Sequence, residues 1–148
     1  MVPDHIAHEV DIDAPVERVW QLLTEPEHVR VWYAFDGAEI DLRPGGAVVY
    51  RWEEHGEFHG VIERVEPPHV YVVRHAHVPG VHPQPGNSTL VEYTLTPSDT
   101  GTHLRVVERG FRDLAVPAEE QAASAQINVQ GWTGGLALLR DHARHVAT

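Results

Sequence analysis

The chain of 148 residues contains no cysteine. Thiol nucleophiles, disulfides and cysteine-ligated zinc are therefore excluded. Lysine is absent too, because all 11 basic residues are arginine, and this excludes Schiff-base chemistry on a lysine amine. Positive charge is scarce: 22 acidic residues leave a formal net charge of −11. No basic patch is available to neutralise phosphates, so nucleic acid is not an expected partner, and neither is an anionic membrane surface. No run of eighteen apolar residues occurs, and Met1-Val2-Pro3-Asp4-His5 has neither the charged nor the apolar part of a signal peptide. A soluble cytoplasmic protein is the expectation. Gly-x-Ser-x-Gly is missing, and Ser88, Ser98 and Ser124 have no evident histidine partner. No strand, glycine-rich loop and helix follow one another as a phosphate site requires.

What is present fits one domain over residues 1–148, with 42% hydrophobic and 22% charged residues, enough to bury a core without metal or disulfide. The richness in arginine, alanine and proline is that of a high-GC, bacterial genome.

Residues 5–12 alternate, with Ile6, His8, Val10 and Ile12 on one face, and predict a strand. A first helix carries Val16, Val19, Trp20 and Leu23 on one stripe. Thr24-Glu25-Pro26-Glu27 reads as a capping box that opens a second, short helix with Thr24 as N-cap. Six strands in hairpin order follow, Ala38–Leu42, Ala47–Glu53, Phe58–Glu66, His69–His77, Ser88–Thr96 and Thr102–Arg109, separated by glycine- and proline-bearing turns. The loop 78–87 holds three prolines and two glycines. From Pro117 to about Val146 the chain predicts one long helix, acidic at its start and basic at its end, with Ile127, Trp132, Leu136, Leu139 and Ala143 as its apolar stripe. The fold class is α+β: a curved antiparallel sheet of about seven strands around a long C-terminal helix, with a cavity between them.

Asp13-Ala14-Pro15-Val16-Glu17-Arg18-Val19-Trp20, Leu23-Thr24-Glu25-Pro26, Trp32 and Pro44-Gly45-Gly46 resemble the START-like helix-grip superfamily, also called SRPBCC. Gly60, Val65-Glu66-Pro67-Pro68, Gly101-Thr102, Glu108-Arg109-Gly110-Phe111 and Gly131-Trp132 continue the match, which is similar to the heat-shock-protein ATPase activator homologue branch. The resemblance implies binding of a hydrophobic small molecule between sheet and helix. Some members are polyketide cyclases, others sequester natural products, and the branch takes its name from co-chaperones. Three readings follow: a cyclase- or dehydratase-like enzyme working by acid–base chemistry without cofactor, a non-catalytic carrier or resistance protein, and a module with a chaperone partner. A homodimer is expected on general grounds.

Strand alternation names the cavity wall. Val48, Tyr50 and Trp52 share one face, as do Val91, Tyr93 and Leu95, and the face of Leu104 and Val106 continues to Glu108. Tyr71 and Val73 continue to His75 and His77; the family position matching His75 is often aromatic, so an imidazole there is a departure. Glu108, His75 and His77 are the candidates for proton transfer. The competing reading pairs Glu108 with Arg51, Arg74, Arg105 or Arg109. Trp32, Tyr33, Phe35, Tyr50, Trp52, Tyr71, Tyr93 and Trp132 offer ring faces to a planar ligand, with Asn128 as a polar handle one turn before Trp132. Gly131, Gly134 and Gly135 thin that helix at about 1 kcal/mol each relative to alanine, which implies a close approach of sheet or ligand. His75 and His77 lie ~7 Å apart along their strand, and His55, His59 and His82 stand near, but a two-residue spacing is only permissive, so no metal is expected.

Overall fold

Alternation and tight turns produce seven strands, and a computed structural model describes residues 1–146. β1 (His5–Ile12) is followed by α1 (Val16–Thr24) and α2 (Pro26–Trp32). Then come β2 (Ala38–Ile40), β3 (Ala47–Trp52), β4 (Gly56–Glu66), β5 (Val70–Ala76), β6 (Ser88–Ser98) and β7 (Gly101–Arg109). A 3₁₀ turn (Phe111–Asp113) leads into α3 (Ala118–Val146). The sheet is antiparallel in the order β1-β7-β6-β5-β4-β3-β2, so the first strand closes against the last and α1 and α2 carry the chain from one edge to the other. α3 lies across the inner face against β1, α1 and α2.

Two glycines make the curvature possible. A Cβ on Gly60, in the middle of β4, would meet Val48 Cγ2 at 2.6 Å and the Arg74 carbonyl at 2.8 Å, so neighbouring strands close in where no side chain stands. Gly101, at φ +150°, turns β6 into β7 directly against the chain leaving β1, where a Cβ would lie 2.4 Å from the Ile12 carbonyl. The Thr102 hydroxyl fixes the same corner by donating to the Ala14 carbonyl at 2.7 Å. A register shift between Ile62 and Arg64 bends β4 further.

Two expectations fail locally. Thr24 does not cap α2; it is the last residue of α1, and its hydroxyl donates to the Trp20 carbonyl at 2.8 Å. Pro26 at the start of α2 keeps the residue before it extended, so the N-cap falls on Glu25. Ile127 does not join the buried stripe of α3 and is 67% exposed. The stripe runs through Ala125, Trp132, Gly135, Leu136, Leu139 and Ala143, and five residues before Trp132 is about 140° round the helix.

The inner face is filled unevenly. Beneath α1, Trp20 meets Tyr71 edge-on at 5.9 Å and Tyr71 stacks on Tyr93 at 5.5 Å. Beneath α2 and the middle of α3 the packing opens.

Candidate functional site

The opening is a cavity of about 690 Å³ between the sheet and α3. Each wall comes from a different element. α2 ends in Trp32, whose indole N–H donates to the Leu22 carbonyl at 2.8 Å, and this anchor holds the following Tyr33 over the sheet. Tyr33 packs edge-on against Tyr50 at 5.1 Å and Trp52 at 5.0 Å, and face-on against Trp132 of α3 at 5.8 Å. The Trp52 indole locks this box by donating to the Tyr33 carbonyl at 2.7 Å. Burial pushes the Tyr50 hydroxyl up to about 12, and burial together with Tyr50 and Glu108 raises Tyr33 further, so both phenols are neutral. Phe35, Ile127 and Leu138 rim the mouth and are exposed there.

The polar end is built by register. Pairing of β6 with β7 sets Val91 opposite Glu108, and pairing of β5 with β6 sets His75 opposite Thr89, all on the inner face. Glu108 is only 3% exposed. Its Oε2 accepts from the Thr89 hydroxyl at 2.6 Å, its Oε1 from the Trp132 indole at 2.9 Å, and both accept from Asn128 Nδ2 at 3.1 Å. Burial raises the carboxyl above its ordinary range; donors Thr89, Trp132 and Asn128, and the His8 imidazole on β1, pull it part of the way back. None of the four arginines proposed as partners reaches it. Arg51 binds Glu39 and Glu57, Arg74 binds Glu63 and Ser88, Arg109 faces Glu92, and Arg105 lies exposed.

His75 stacks on Tyr50 at 5.3 Å with 22° between the planes, and it is 8% exposed. Burial alone lowers its pKa from 6.5 to about 4, so the ring is neutral at pH 7. His77 falls just past the end of β5, at the rim, where its backbone N–H donates to the Asn87 carbonyl at 2.8 Å and its Nδ1 lies 3.1 Å from the same oxygen. The carbonyl can only accept, so the proton of this pair is on Nδ1.

Of the sequence-derived site, Glu108, His75, His77, Trp32, Tyr33, Phe35, Tyr50, Trp52, Asn128 and Trp132 line one cavity. Tyr71 and Tyr93 do not; they stand behind its wall in the closed core. Thr89 is the residue missed. Extending the face of Val91 and Tyr93 back by two positions finds it, the same step that found Glu108. Gly131 and Gly134 line the cavity with nothing within 4 Å of a Cβ placed on either, and Gly135 meets Trp32 at 3.8 Å. His59 and His82 lie tilted against each other at 4.6 Å, while the one group with three ligand atoms close together among the described residues is Glu25, Glu27 and His28, at the start of α2 and away from the cavity lining. No helix of the described residues is long and apolar enough to cross a membrane.

The family model of the Activator of Hsp90 ATPase homolog 1-like proteins matches residues 13–143. No curated protein matches the chain. Among solved structures, a Mesorhizobium loti protein superimposes with a TM-score of 0.80 at 22% identity, over 97% of this chain and 99% of that one. The Aha1 dimer from Colwellia psychrerythraea gives 0.72 at 20% identity, over 93% of both chains. DynU16, a protein of the dynemicin biosynthetic locus, gives 0.74 at 23% identity over 96% of this chain and 48% of its own length. At these identities the likeness is one of fold.

Proposed function

The chain belongs to the Activator of Hsp90 ATPase homolog 1-like family, within the START-like helix-grip superfamily, and on that premise we propose that it binds a hydrophobic, aromatic or polycyclic small molecule between its sheet and α3. The observation that carries this reading is the aromatic box of Tyr33, Tyr50, Trp52 and Trp132 facing an unfilled volume of about 690 Å³, the size of a drug-sized ligand site. The membership of DynU16 in a biosynthetic locus supports a natural-product ligand. Sequestration needs only this wall.

Proton transfer is the second reading, favoured because a carboxyl with a raised pKa and a neutral imidazole face the same space. A cyclase- or dehydratase-like step would then lose turnover and keep ligand affinity in Glu108→Gln. A homodimer, as in the Colwellia protein, is proposed as the assembly. Native mass spectrometry of the purified protein against its denatured mass tests the main reading. An added organic mass that disappears in Trp132→Ala is expected. A cavity that takes no aromatic compound, in purification or in titration with three-ring hydrocarbons, would overturn it.

A further inference from the structure

The outward side of α3 repeats as regularly as its buried side. Ile127 and Leu138 are 67% and 44% exposed, and Gly131 and Gly134 lie exposed between them. From Ile127 to Leu138 these four positions follow in steps of four, three and four residues. The same alternation continues back to Ser124 and Glu120 and forward to Asp141 and His145; Ser124 is half-buried and the other three are exposed. Alternate threes and fours make the seven-residue repeat by which one helix lies along another. This seam is about 38 Å long at 1.5 Å per residue.

The ends of the seam select its occupant. The first turn of α3 carries Glu119 and Glu120, and the last turn carries Arg144 and His145. Glu119 and Glu120 enter no ion pair among the described residues, and Arg144 has only an exposed one with Asp141 at 3.5 Å. A second copy of α3 laid antiparallel sets each acidic turn against a basic one, whereas a parallel copy sets like charges together. With a two-fold axis between Gly131 and Gly134, every layer also finds a suitable mate. Ile127 meets the partner's Leu138, and the glycines meet each other where the helices cross. The Ser124 hydroxyl can donate to the carboxylate of the partner's Asp141. A face complementary to itself under a two-fold rotation is what an isologous dimer requires.

The seam also borders the cavity. Ile127, Gly131, Gly134 and Leu138 all line it, and nothing lies within 4 Å of a Cβ placed on either glycine. Resting on the proposed homodimer, we infer that its interface is the Glu120–His145 seam of α3, packed antiparallel on the same seam of a second copy. Each protomer then supplies Ile127 and Leu138 to the lip of the other's cavity.

The chain has no cysteine, so introduced thiols report the register. Ile127→Cys and Leu138→Cys chains, both substituted at exposed positions, are oxidised singly and as an equimolar mixture, beside sedimentation of the native protein. A native dimer is expected, with a disulfide that forms in the mixture and in neither chain alone, because only unlike positions come within bridging distance. Cross-linking of each chain alone would show a parallel pair and overturn the inference. A native dimer with no cross-link in any sample overturns this interface and leaves the homodimer standing. A native monomer overturns both. Glu119→Arg with Glu120→Arg, outside the cavity lining, should weaken the dimer about tenfold, and adding Arg144→Glu with His145→Glu should restore it. A dimer indifferent to the first pair, or not recovered by the second, overturns the pairing of the ends. Affinity for phenanthrene should fall and return with the dimer; affinity that does not follow it overturns the shared lip.

Discussion

The two ends of the inner face are made from the same strands and similar residues, yet one is solid and the other hollow. β5 contributes Tyr71 to the closed end and His75 to the open end; β6 contributes Tyr93 and Thr89. At the closed end α1 lowers Trp20 onto Tyr71, which is 0% exposed. At the open end the cover is the glycine-rich stretch of α3, from which Trp132 reaches the sheet while Gly131 and Gly134 offer no side chain. The cavity is therefore set by what the helices leave out, with the sheet continuing unchanged beneath.

Substitution at matched positions should separate the ends most clearly. Tyr71→Ala removes a large side chain from close-packed surroundings and should lower stability by about 3–5 kcal/mol in urea unfolding, as for other buried aromatics. Tyr33→Ala, half-buried on the cavity wall, should lower it by less, about 3 kcal/mol, because four rings hold Tyr33 but the cavity lies beside it, while abolishing ligand binding. Equal losses would mean that the open end is ordinary core and the contrast is false.

An effect of up to about 3 kcal/mol lies in the acid limb of stability. His75 has a folded pKa lowered from 6.5 to about 4, so the unfolded chain takes up its proton first as pH falls. Stability contributed by the neutral ring is present above pH 6.5 and is lost between about 6.5 and about 4. Unfolding free energies measured across that window should fall less steeply in His75→Phe than in the native protein. Parallel curves would show that the ring is solvated in the folded state, and the polar end would then be open to water and not a dry receptor for a ligand.

The sequence made the inner face legible and not its depth. Alternation placed Tyr71, His75, Tyr93 and Glu108 inward, because a strand's period of two is enough for that. Whether an inward residue meets a helix or a void depends on the helix above it, and the two tyrosines expected on the ligand wall stand behind it: Tyr71 meets Trp20 of α1, and Tyr93 meets Tyr71 and Trp132 of α3. Extending a face by two residues reaches Glu108 but not its partners: Thr89 becomes its neighbour only through the β6–β7 register, and Arg51 and Arg74 are drawn off by glutamates on the outer surface. Ile127 falls off the stripe for a reason the spacing already contains: it lies five residues before Trp132, about 140° round the helix, so the face that Trp132 turns to the sheet leaves Ile127 outside it. Thr24 fits the capping pattern, but the stereochemistry of the residue before Pro26 takes precedence and moves the cap to Glu25.

The smallest effect bears most directly on why the open end exists. Gly131 and Gly134 each forgo up to about 1 kcal/mol of helix stability relative to alanine, and no protein atom lies close enough to require it. Alanine at either position should therefore raise the midpoint of thermal unfolding, each by a few degrees or less. The same methyl groups project into the volume where a planar ligand would lie against bare helix, so affinity for an aromatic probe should fall as stability rises. If stability rises and affinity holds, the ligand lies against the sheet alone and the glycines are neutral. If stability falls, the two positions are constrained by a conformation of α3 that the bound form requires. Opposite signs in the two measurements would show that the helix was thinned to make room.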